Sequence, residues 1–354
     1  MKKRVIFLTE SMIGAGGVVR VITTWSNFFV KKGYNCEIFS VYKGKPFFEL
    51  NEKIKFTIVN YLFKNKILSL PINILLILPI LLKSKNSILI VNKSAYIEPI
   101  YLWRKLGLFK SIKLVYFSHG GNGDFESFYM SRRSTKHRVK MIFNIFDNVI
   151  CLYKNVKKTP KEVIDNKITY IKNPCPLSVY NQESENKTVV YIGRVTKEKG
   201  IDVLIKSWAK IDKKDWTLKI VGDGIDKKEF IHLSEKLKLK NIIFLEQTNN
   251  VEYHLKNSTI SVLPSLFEGF GLSIIESMSQ GAIIISTKTD GGKKLINHHD
   301  NGLLVEISDI DDLAEKLIIA IESKELRRKL RENAYIKVKE FDIEKLFKNW
   351  NGIL

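Results

Sequence analysis

Residues 264–281 carry more chemistry than any other stretch of the chain, reading Pro264-Ser-Leu-Phe-Glu268-Gly-Phe270-Gly271-Leu272-Ser-Ile-Ile-Glu276-Ser-Met-Ser-Gln-Gly281. An apolar run over 259–263 predicts a strand that feeds a loop bearing Glu268. A glycine turn then opens a helix with Glu276 about one turn in. The N–H groups at the start of that helix, from Phe270 to Ser273, lack intrahelical partners and form a ready site for a phosphate. Two carboxylates beside a phosphate site suit a ligand with hydroxyls at both ends and a diphosphate between them, as in a sugar nucleotide. An ordinary strand–loop–helix unit with two exposed glutamates has the same spacing.

A second constellation is Tyr191-Ile-Gly193-Arg194-Val-Thr-Lys197-Glu-Lys199-Gly200, which follows one predicted strand and opens another helix. That places Arg194 and Lys199 at a carboxyl-end loop, where open α/β sheets bind ligands. Arg forks two phosphate oxygens and Lys adds a point charge, so together they can neutralise a departing nucleoside diphosphate. Lys197 is extra and reads as solvated, and a solvated basic turn is the plain alternative for the whole motif. Further on, Gly222-Asp223-Gly224 reads as a tight turn, so Asp223 and Asp226 are not assigned to a metal. Near the start, Gly14, Gly16 and Gly17 link the first strand to a helix extending to about Lys31. Glycines there let backbone approach a phosphate or sugar closely, although a tight turn explains them as well. His119 ends another strand with Gly120 and Gly121 behind it; polar groups at strand ends favour function in such sheets, whereas a lone histidine is more often structural. The loop over 120–135, with Asp124, Arg132 and Arg133, is a candidate acceptor-contacting segment. His298 and His299, before Asn301-Gly302, read as surface residues of a turn.

The Glu-x7-Glu segment with its EGFGLSIIE core and the G-R-x-x-x-x-K-G element from Gly193 to Gly200 resemble those of the retaining glycosyltransferases of family 4, in the GT-B superfamily. The strand and turn ending at Gly222 are similar to the segment near the nucleotide in that family. The resemblance covers nearly the whole chain, with three motifs in family order in the second half and a looser match in the first. It implies two Rossmann-like domains facing across a cleft, with a C-terminal helix packing back on the first. It further implies that Glu276 accepts hydrogen bonds from ribose hydroxyls, and that Arg194 and Lys199 hold the diphosphate with the amides of Phe270, Gly271 and Leu272. Glu268 then contacts the donor sugar and stabilises positive charge at its ring, while His119 and the Gly16-Gly17 loop close from the first domain. No residue is an obvious covalent nucleophile; the resemblance implies front-face attack, with the leaving phosphate accepting the acceptor's proton and no metal or other cofactor. One departure stands out: Ile243-Phe-Leu245 runs into Glu246-Gln247, where the family's strand commonly ends in glycine, near the expected base pocket.

These residues need a scaffold, and the chain supplies its elements. Short β-branched or aromatic runs alternate with helix-like stretches in both halves. The strands expected in the first half are 5–8, 36–41, 55–60, 87–91, 113–117, 148–152 and 168–171; those in the second are 188–192, 216–221, 242–245, 259–263, 282–286 and 302–305. Near-continuous apolar strands between helices predict an α/β fold with parallel sheets covered on both faces. Two such blocks predict two Rossmann-like domains, 1–175 and 176–340, followed by a terminal helix over 341–354. The join falls in 173–186, a proline-bearing and then polar stretch.

At 354 residues and 45% hydrophobic composition the chain can bury two cores. Cys36, Cys151 and Cys175 are odd in number and widely spaced, which argues for a reducing compartment and against a zinc site. The apolar run after Met-Lys-Lys-Arg is too short for a signal peptide, so a cytoplasmic location is expected. The net charge of +21 is one-sided: residues 1–175 hold 30 Lys+Arg against 10 Asp+Glu, and residues 176–354 hold 28 against 27. The first domain is therefore expected to meet an anionic partner, a solvated basic face being the alternative. The apolar stretch 67–82 is too short to span a bilayer and holds Pro71 and Pro79; it reads as a buried helix or as a surface helix dipping into the membrane interface. The expected activity is transfer of a hexose or N-acetylhexosamine, from a UDP-sugar by analogy, to a lipid-linked or glycan acceptor in bacterial capsule or O-antigen assembly, with the enzyme peripheral on the inner membrane face. A soluble acceptor, a sugar-nucleotide epimerase of the same architecture and a non-catalytic nucleic-acid-binding protein are the other readings. No nucleic-acid module is recognisable, and the motif-rich half is neutral.

Overall fold

The computed structural model describes residues 3–58, 78–119, 144–153, 168–180, 185–212 and 215–354. The chain divides into two compact units, Met1–Pro174 together with Ile343–Leu354, and Cys175–Asp342.

The first unit is built on a seven-stranded parallel sheet of β1 (Arg4–Thr9), β2 (Asn35–Ser40), β3 (Lys55–Ile58), β4 (Ser87–Val91), β5 (Lys113–Phe117), β6 (Asn148–Cys151) and β7 (Ile168–Tyr170). Their spatial order is β3-β2-β1-β4-β5-β6-β7. Phe7 on the central β1 pairs with Ile38 on one side and Ile90 on the other. All of β4 is buried, the pattern of a parallel strand covered on both faces. The second unit holds β8 (Thr188–Ile192), β9 (Thr217–Val221), β10 (Ile242–Leu245), β11 (Ile260–Leu263), β12 (Ile283–Thr287) and β13 (Leu303–Val305), in the order β10-β9-β8-β11-β12-β13. Every strand expected from the sequence forms, with ends displaced by a residue or two; residues 59 and 60 lie outside the described residues.

Each sheet has one point where the strand order reverses: between β1 and β4 in the first, and between β8 and β11 in the second. There successive connections leave in opposite directions and open a crevice at the carboxyl ends, the ligand position of doubly wound sheets. The glycine loop follows β1, the Gly193-Arg194 element follows β8, and the Glu268 loop follows β11.

In the first unit the helix Gly17–Lys31 buries Val19, Ile22, Trp25, Phe28 and Phe29. It ends at Lys32, and Gly33 follows at φ +83, a left-handed turn that costs glycine little. The end of the chain packs against this helix. Trp350 is fully buried, with ring centroids 5.2 Å from Trp25, 5.1 Å from Phe29 and 6.0 Å from Phe117. Phe347 meets Phe28 at 5.2 Å and Phe29 at 6.0 Å. Of the apolar stretch 67–82, residues 67–77 lie outside the described residues; in the remainder Ile80 and Leu81 are buried and Leu82 is exposed. Among the described residues no helix is long and apolar enough to cross a membrane.

The aromatic cluster makes the chain terminus a structural part of the first unit. Trp350→Ala is expected to destabilise that unit by about 3–5 kcal/mol, the usual cost of removing a buried tryptophan. A denaturant midpoint shift equivalent to less than about 1 kcal/mol would show that the terminus is only loosely attached.

Candidate active site

The second unit assembles most of its candidate residues at the β8/β11 crevice, and close backbone contacts hold them there. After β8, the Gly193 amide donates to the Val221 carbonyl at 3.1 Å, and the Val195 amide to the Asp223 carbonyl at 2.9 Å. A Cβ on Gly222, which sits at φ +151, would lie 1.9 Å from the Gly193 carbonyl oxygen, and one on Gly224 would lie 2.2 Å from that of Val195. The two turns stack backbone on backbone, which only glycine permits. Tyr191 points back beneath them, fully buried, with its hydroxyl donating to the Arg194 carbonyl at 2.7 Å. Burial raises the Tyr191 pKa, the Glu268 carboxylate raises it further and Arg194 offsets part of this, so the phenol stays protonated. Asp226 accepts from the Lys197 amide at 2.9 Å, which makes it a turn-former. Among the described residues no group of three His, Cys, Asp or Glu is placed to hold a metal ion.

The loop after β8 is next joined to the loop after β11. Gly200 sits at φ +65, and a Cβ there would lie 2.1 Å from the Pro264 carbonyl oxygen. The Leu266 amide donates to the Glu198 carbonyl at 2.9 Å. This approach sets Lys199 Nζ 2.8 Å from Glu268 Oε2, with the two side chains only 17% and 21% exposed. The residues expected to hold the diphosphate and the sugar are thus direct partners of each other. Arg194 differs: it is 61% exposed and only 3.5 Å-paired with Glu198, itself 68% exposed, a contact worth little in water. Its guanidinium can turn to a ligand at small cost.

Glu268 is supported from the far side by an element that the sequence reading passed over. The helix Asp290–Leu295 is capped by Thr289, whose hydroxyl accepts from the Gly292 amide at 3.2 Å. The Gly291 amide donates to the Glu268 carbonyl at 2.8 Å, and a Cβ at Gly291 would lie 3.0 Å from that oxygen. The signal was present in Thr289-Asp290-Gly291-Gly292, an N-cap residue followed by two glycines, which marks a helix start against another backbone.

Gly271, at φ +82, turns the chain into the helix Leu272–Ser279, which has no side-chain cap and no acid in its first turn. The Ile274 amide donates to the Gly271 carbonyl at 2.9 Å, so Leu272 and Ser273 are the leading amides that can face an anion. Phe270 and Leu272 anchor this start by burying their side chains. Glu276 is only 7% exposed, buried more deeply than an exposed helix glutamate would be. It lines a small recess with Ser273, Ser261, Ile192, Val251 and Leu255. The apolar wall from Val251 and Leu255 was not anticipated, because the helix Val251–Lys256 carries no motif. Glu246, at the departure from the family pattern, is exposed and paired with Lys227 at 3.0 Å.

In the first unit, Gly14, Gly16 and Gly17 are exposed, and a Cβ on any of them would meet nothing within 4 Å. Gly16 has an ordinary φ of −69, so neither packing nor backbone geometry of the unit itself requires glycine there. The helix that follows has no side-chain cap and no acid in its first turn. His119 is buried at 8% exposure, stacks on Phe117 at 4.3 Å and meets Asn92 Oδ1 through Nε2 at 2.7 Å. Burial pushes its pKa down to about 3, so the imidazole is neutral. The candidate loop 120–135 lies outside the described residues. His298 and His299 are exposed, and His298 Nδ1 accepts from the Leu304 amide at 3.0 Å, a turn contact.

Residues 178–337 match the model of the glycosyl transferases group 1, and residues 15–179 that of glycosyltransferase family 4. An uncharacterised glycosyltransferase of Haemophilus influenzae is 29% identical, the match covering 99% of this chain and 100% of that protein. The amylovoran biosynthesis glycosyltransferase AmsD of Erwinia amylovora is 23% identical over 99% of each chain. A GalNAc-alpha-(1->4)-GalNAc-alpha-(1->3)-diNAcBac-PP-undecaprenol alpha-1,4-N-acetyl-D-galactosaminyltransferase of Campylobacter jejuni is 23% identical over 96% of this chain and 94% of its own. In fold, the sucrose-phosphate synthase of Thermosynechococcus elongatus superposes with a TM-score of 0.80 at 17% identity, covering 99% of this chain and 98% of that one. With its two halves matched in order by the two family models, the protein belongs to the glycosyltransferases of the group 1, family 4 type and has the GT-B fold.

Proposed function

We propose that the protein is a retaining glycosyltransferase that moves a hexose or N-acetylhexosamine from a UDP-sugar to a lipid-linked glycan during assembly of a bacterial surface polysaccharide. The observation that carries this reading is the Lys199–Glu268 pair at the switch point of the second sheet. It places a cation for phosphate and a carboxylate for sugar within one hydrogen bond of each other. The neighbouring helix start supplies amides for the diphosphate, and Glu276 in its recess supplies a carboxylate for ribose hydroxyls. Val251, at the edge of this recess, gives the nucleoside end an apolar contact.

In this reading, phosphate oxygens draw Lys199 away from Glu268, and the exposed Arg194 swings in to fork a second pair of oxygens. Glu268 is then released to accept hydrogen bonds from the donor sugar and to offset positive charge growing at its ring. The bond from the sugar's anomeric carbon to the phosphate oxygen breaks, the acceptor oxygen bonds to the same face, and the acceptor's proton passes to the leaving diphosphate. Catalysis is then orientation plus fixed charge, with no protein nucleophile and no metal. A lipid-linked acceptor fits the one-sided charge of residues 1–175, with 30 Lys+Arg against 10 Asp+Glu, because headgroups and lipid diphosphates are anionic. The Campylobacter jejuni relative, whose name carries an undecaprenol diphosphate acceptor, supports the same assignment. The protein then works at the inner membrane face without crossing it.

Four outcomes test this reading. Nucleoside diphosphate release from a panel of UDP-, GDP- and ADP-sugars, with bacterial membrane lipids as acceptor source, is expected from a UDP-sugar alone and only with lipids present. Arg194→Ala should lower that rate about a hundredfold, the usual cost of removing one charge-stabilising donor; an unchanged rate would remove the mechanism's main support. Glu268→Gln should abolish transfer yet leave binding of the free nucleoside diphosphate as tight as before or tighter, since Lys199 loses its competing partner. Calorimetry showing diphosphate affinity falling together with transfer would mean that Glu268 serves to hold Lys199 in place. Finally, the protein should sediment with anionic and not with neutral liposomes, and less so as salt is raised; no binding to either would sink the membrane assignment.

A further inference from the structure

In the first unit, a chain of hydrogen-bond constraints ends at a buried atom with no partner among the described residues. Asn92 follows β4 and His119 follows β5, so both stand at carboxyl ends of neighbouring strands beside the reversal point of the first sheet. Asn92 is 4% exposed. Its Nδ2 donates to the backbone carbonyls of Ile90 at 3.1 Å and Leu8 at 3.3 Å. Carbonyl oxygens only accept, so the amide group must face them with its NH2 end, and the orientation of Asn92 is settled by chemistry. Oδ1 is then the atom that faces His119 Nε2 at 2.7 Å, and an amide oxygen can only accept. Nε2 must carry the hydrogen. In a neutral imidazole the other nitrogen, Nδ1, is then a bare acceptor. Nδ1 is buried and has no hydrogen-bond partner among the described residues. A buried polar atom left in that state costs free energy unless a ligand satisfies it.

We propose that Asn92 is a positioning residue that fixes His119 as the neutral Nε2–H tautomer, so that Nδ1 accepts a hydrogen bond from a hydroxyl of the sugar substrate. The ligand must be a donor at that point, which a sugar hydroxyl satisfies and a phosphate oxygen does not. The surroundings keep the ring neutral. Burial is the one cause of its lowered pKa, and the charged groups at the adjoining strand ends, Lys93 and Glu10, neutralise each other in an ion pair of 2.9 Å. Stacking on Phe117, which itself packs on Trp350, fixes the plane of the ring. The proposal rests on the transferase reading for the identity of the hydroxyl, but the tautomer does not.

The tautomer can be read without substrate. Nitrogen-15 NMR of histidine-labelled protein, with His119→Gln to assign the signal, should show one imidazole that stays neutral and Nε2-protonated from pH 8 down to pH 5. An Nδ1–H tautomer, or a His119 that titrates within that range, would overturn the proposal. In Asn92→Ala the signal should become a mixture of tautomers, because the constraint on Nε2 is gone. The same variant should lose about tenfold in sugar transfer while its affinity for the free nucleoside diphosphate, which has no sugar hydroxyl, is unchanged. Asn92→Ser, smaller and still able to accept from Nε2, should recover part of that loss; recovery absent in a folded Asn92→Ser, or equal losses in both readouts, would mean that Asn92 serves only to tie the strands together. If the NMR result holds and no sugar transfer is found with any donor, the transferase reading fails while the tautomer assignment stands.

Discussion

The second unit depends on one close approach, the backbone of Gly200 against the carbonyl of Pro264. A left-handed φ of +65 and a space too small for any Cβ restrict the position to glycine. That contact joins the loop leaving β8 to the loop leaving β11, which lie apart in sequence by more than sixty residues. Lys199 precedes this glycine and Glu268 follows the proline by four residues, so fixing the two backbones fixes the two charges. The stacked turns at Gly193 and Gly222 act in the same way one strand over, and Gly291 closes the arrangement beneath the Glu268 loop. The candidate groups are presented by loops, and the loops are tied to one another by backbone hydrogen bonds and close glycine contacts.

Electrostatics then separates roles among residues of the same charge. Lys199 is mostly buried and satisfied by Glu268, whereas Arg194 is exposed and only loosely held by Glu198. A half-buried ion pair left without ligand avoids the cost of isolated charge and remains exchangeable when phosphate arrives, since the incoming group offers Lys199 an equivalent partner. The exposed arginine loses little on moving. Lys197, the third cation of the motif, is exposed and turns to Glu229 at 2.9 Å.

The first unit follows a different logic. Its glycine loop is free of packing demands, and its histidine is held neutral by burial with one acceptor nitrogen that has no partner among the described residues. Both features are costs within the unit itself: glycine gives up unfolded-chain entropy, and a bare Nδ1 gives up a hydrogen bond. Local departures of this kind from the most stable arrangement mark ligand sites more reliably than residue type alone. The aromatic cluster around Trp350 also packs on Phe117, using residues from the end of the chain.

By itself the sequence determined the strands, the two-sheet organisation and the positions of the main charged motifs. Buried parallel strands must be apolar along their whole length, so the thirteen strands stood out as runs, and the glycine, arginine and glutamate elements fell at their carboxyl ends because such loops are where the pattern breaks. Strand order was not legible, since any apolar strand can pair with any other; the reversal points at β1/β4 and β8/β11 came only with the fold. Nor was partnership. Lys199 and Glu268 read as separate ligands of separate groups, Asn92 drew no notice without the histidine it holds, and Val251 and Leu255 were ordinary helix residues until they lined the recess of Glu276. Hydrogen bonds, burial and close backbone approach act between residues distant in the chain, so they are decided by tertiary structure, while periodicity and turn chemistry are local and can be read from the chain.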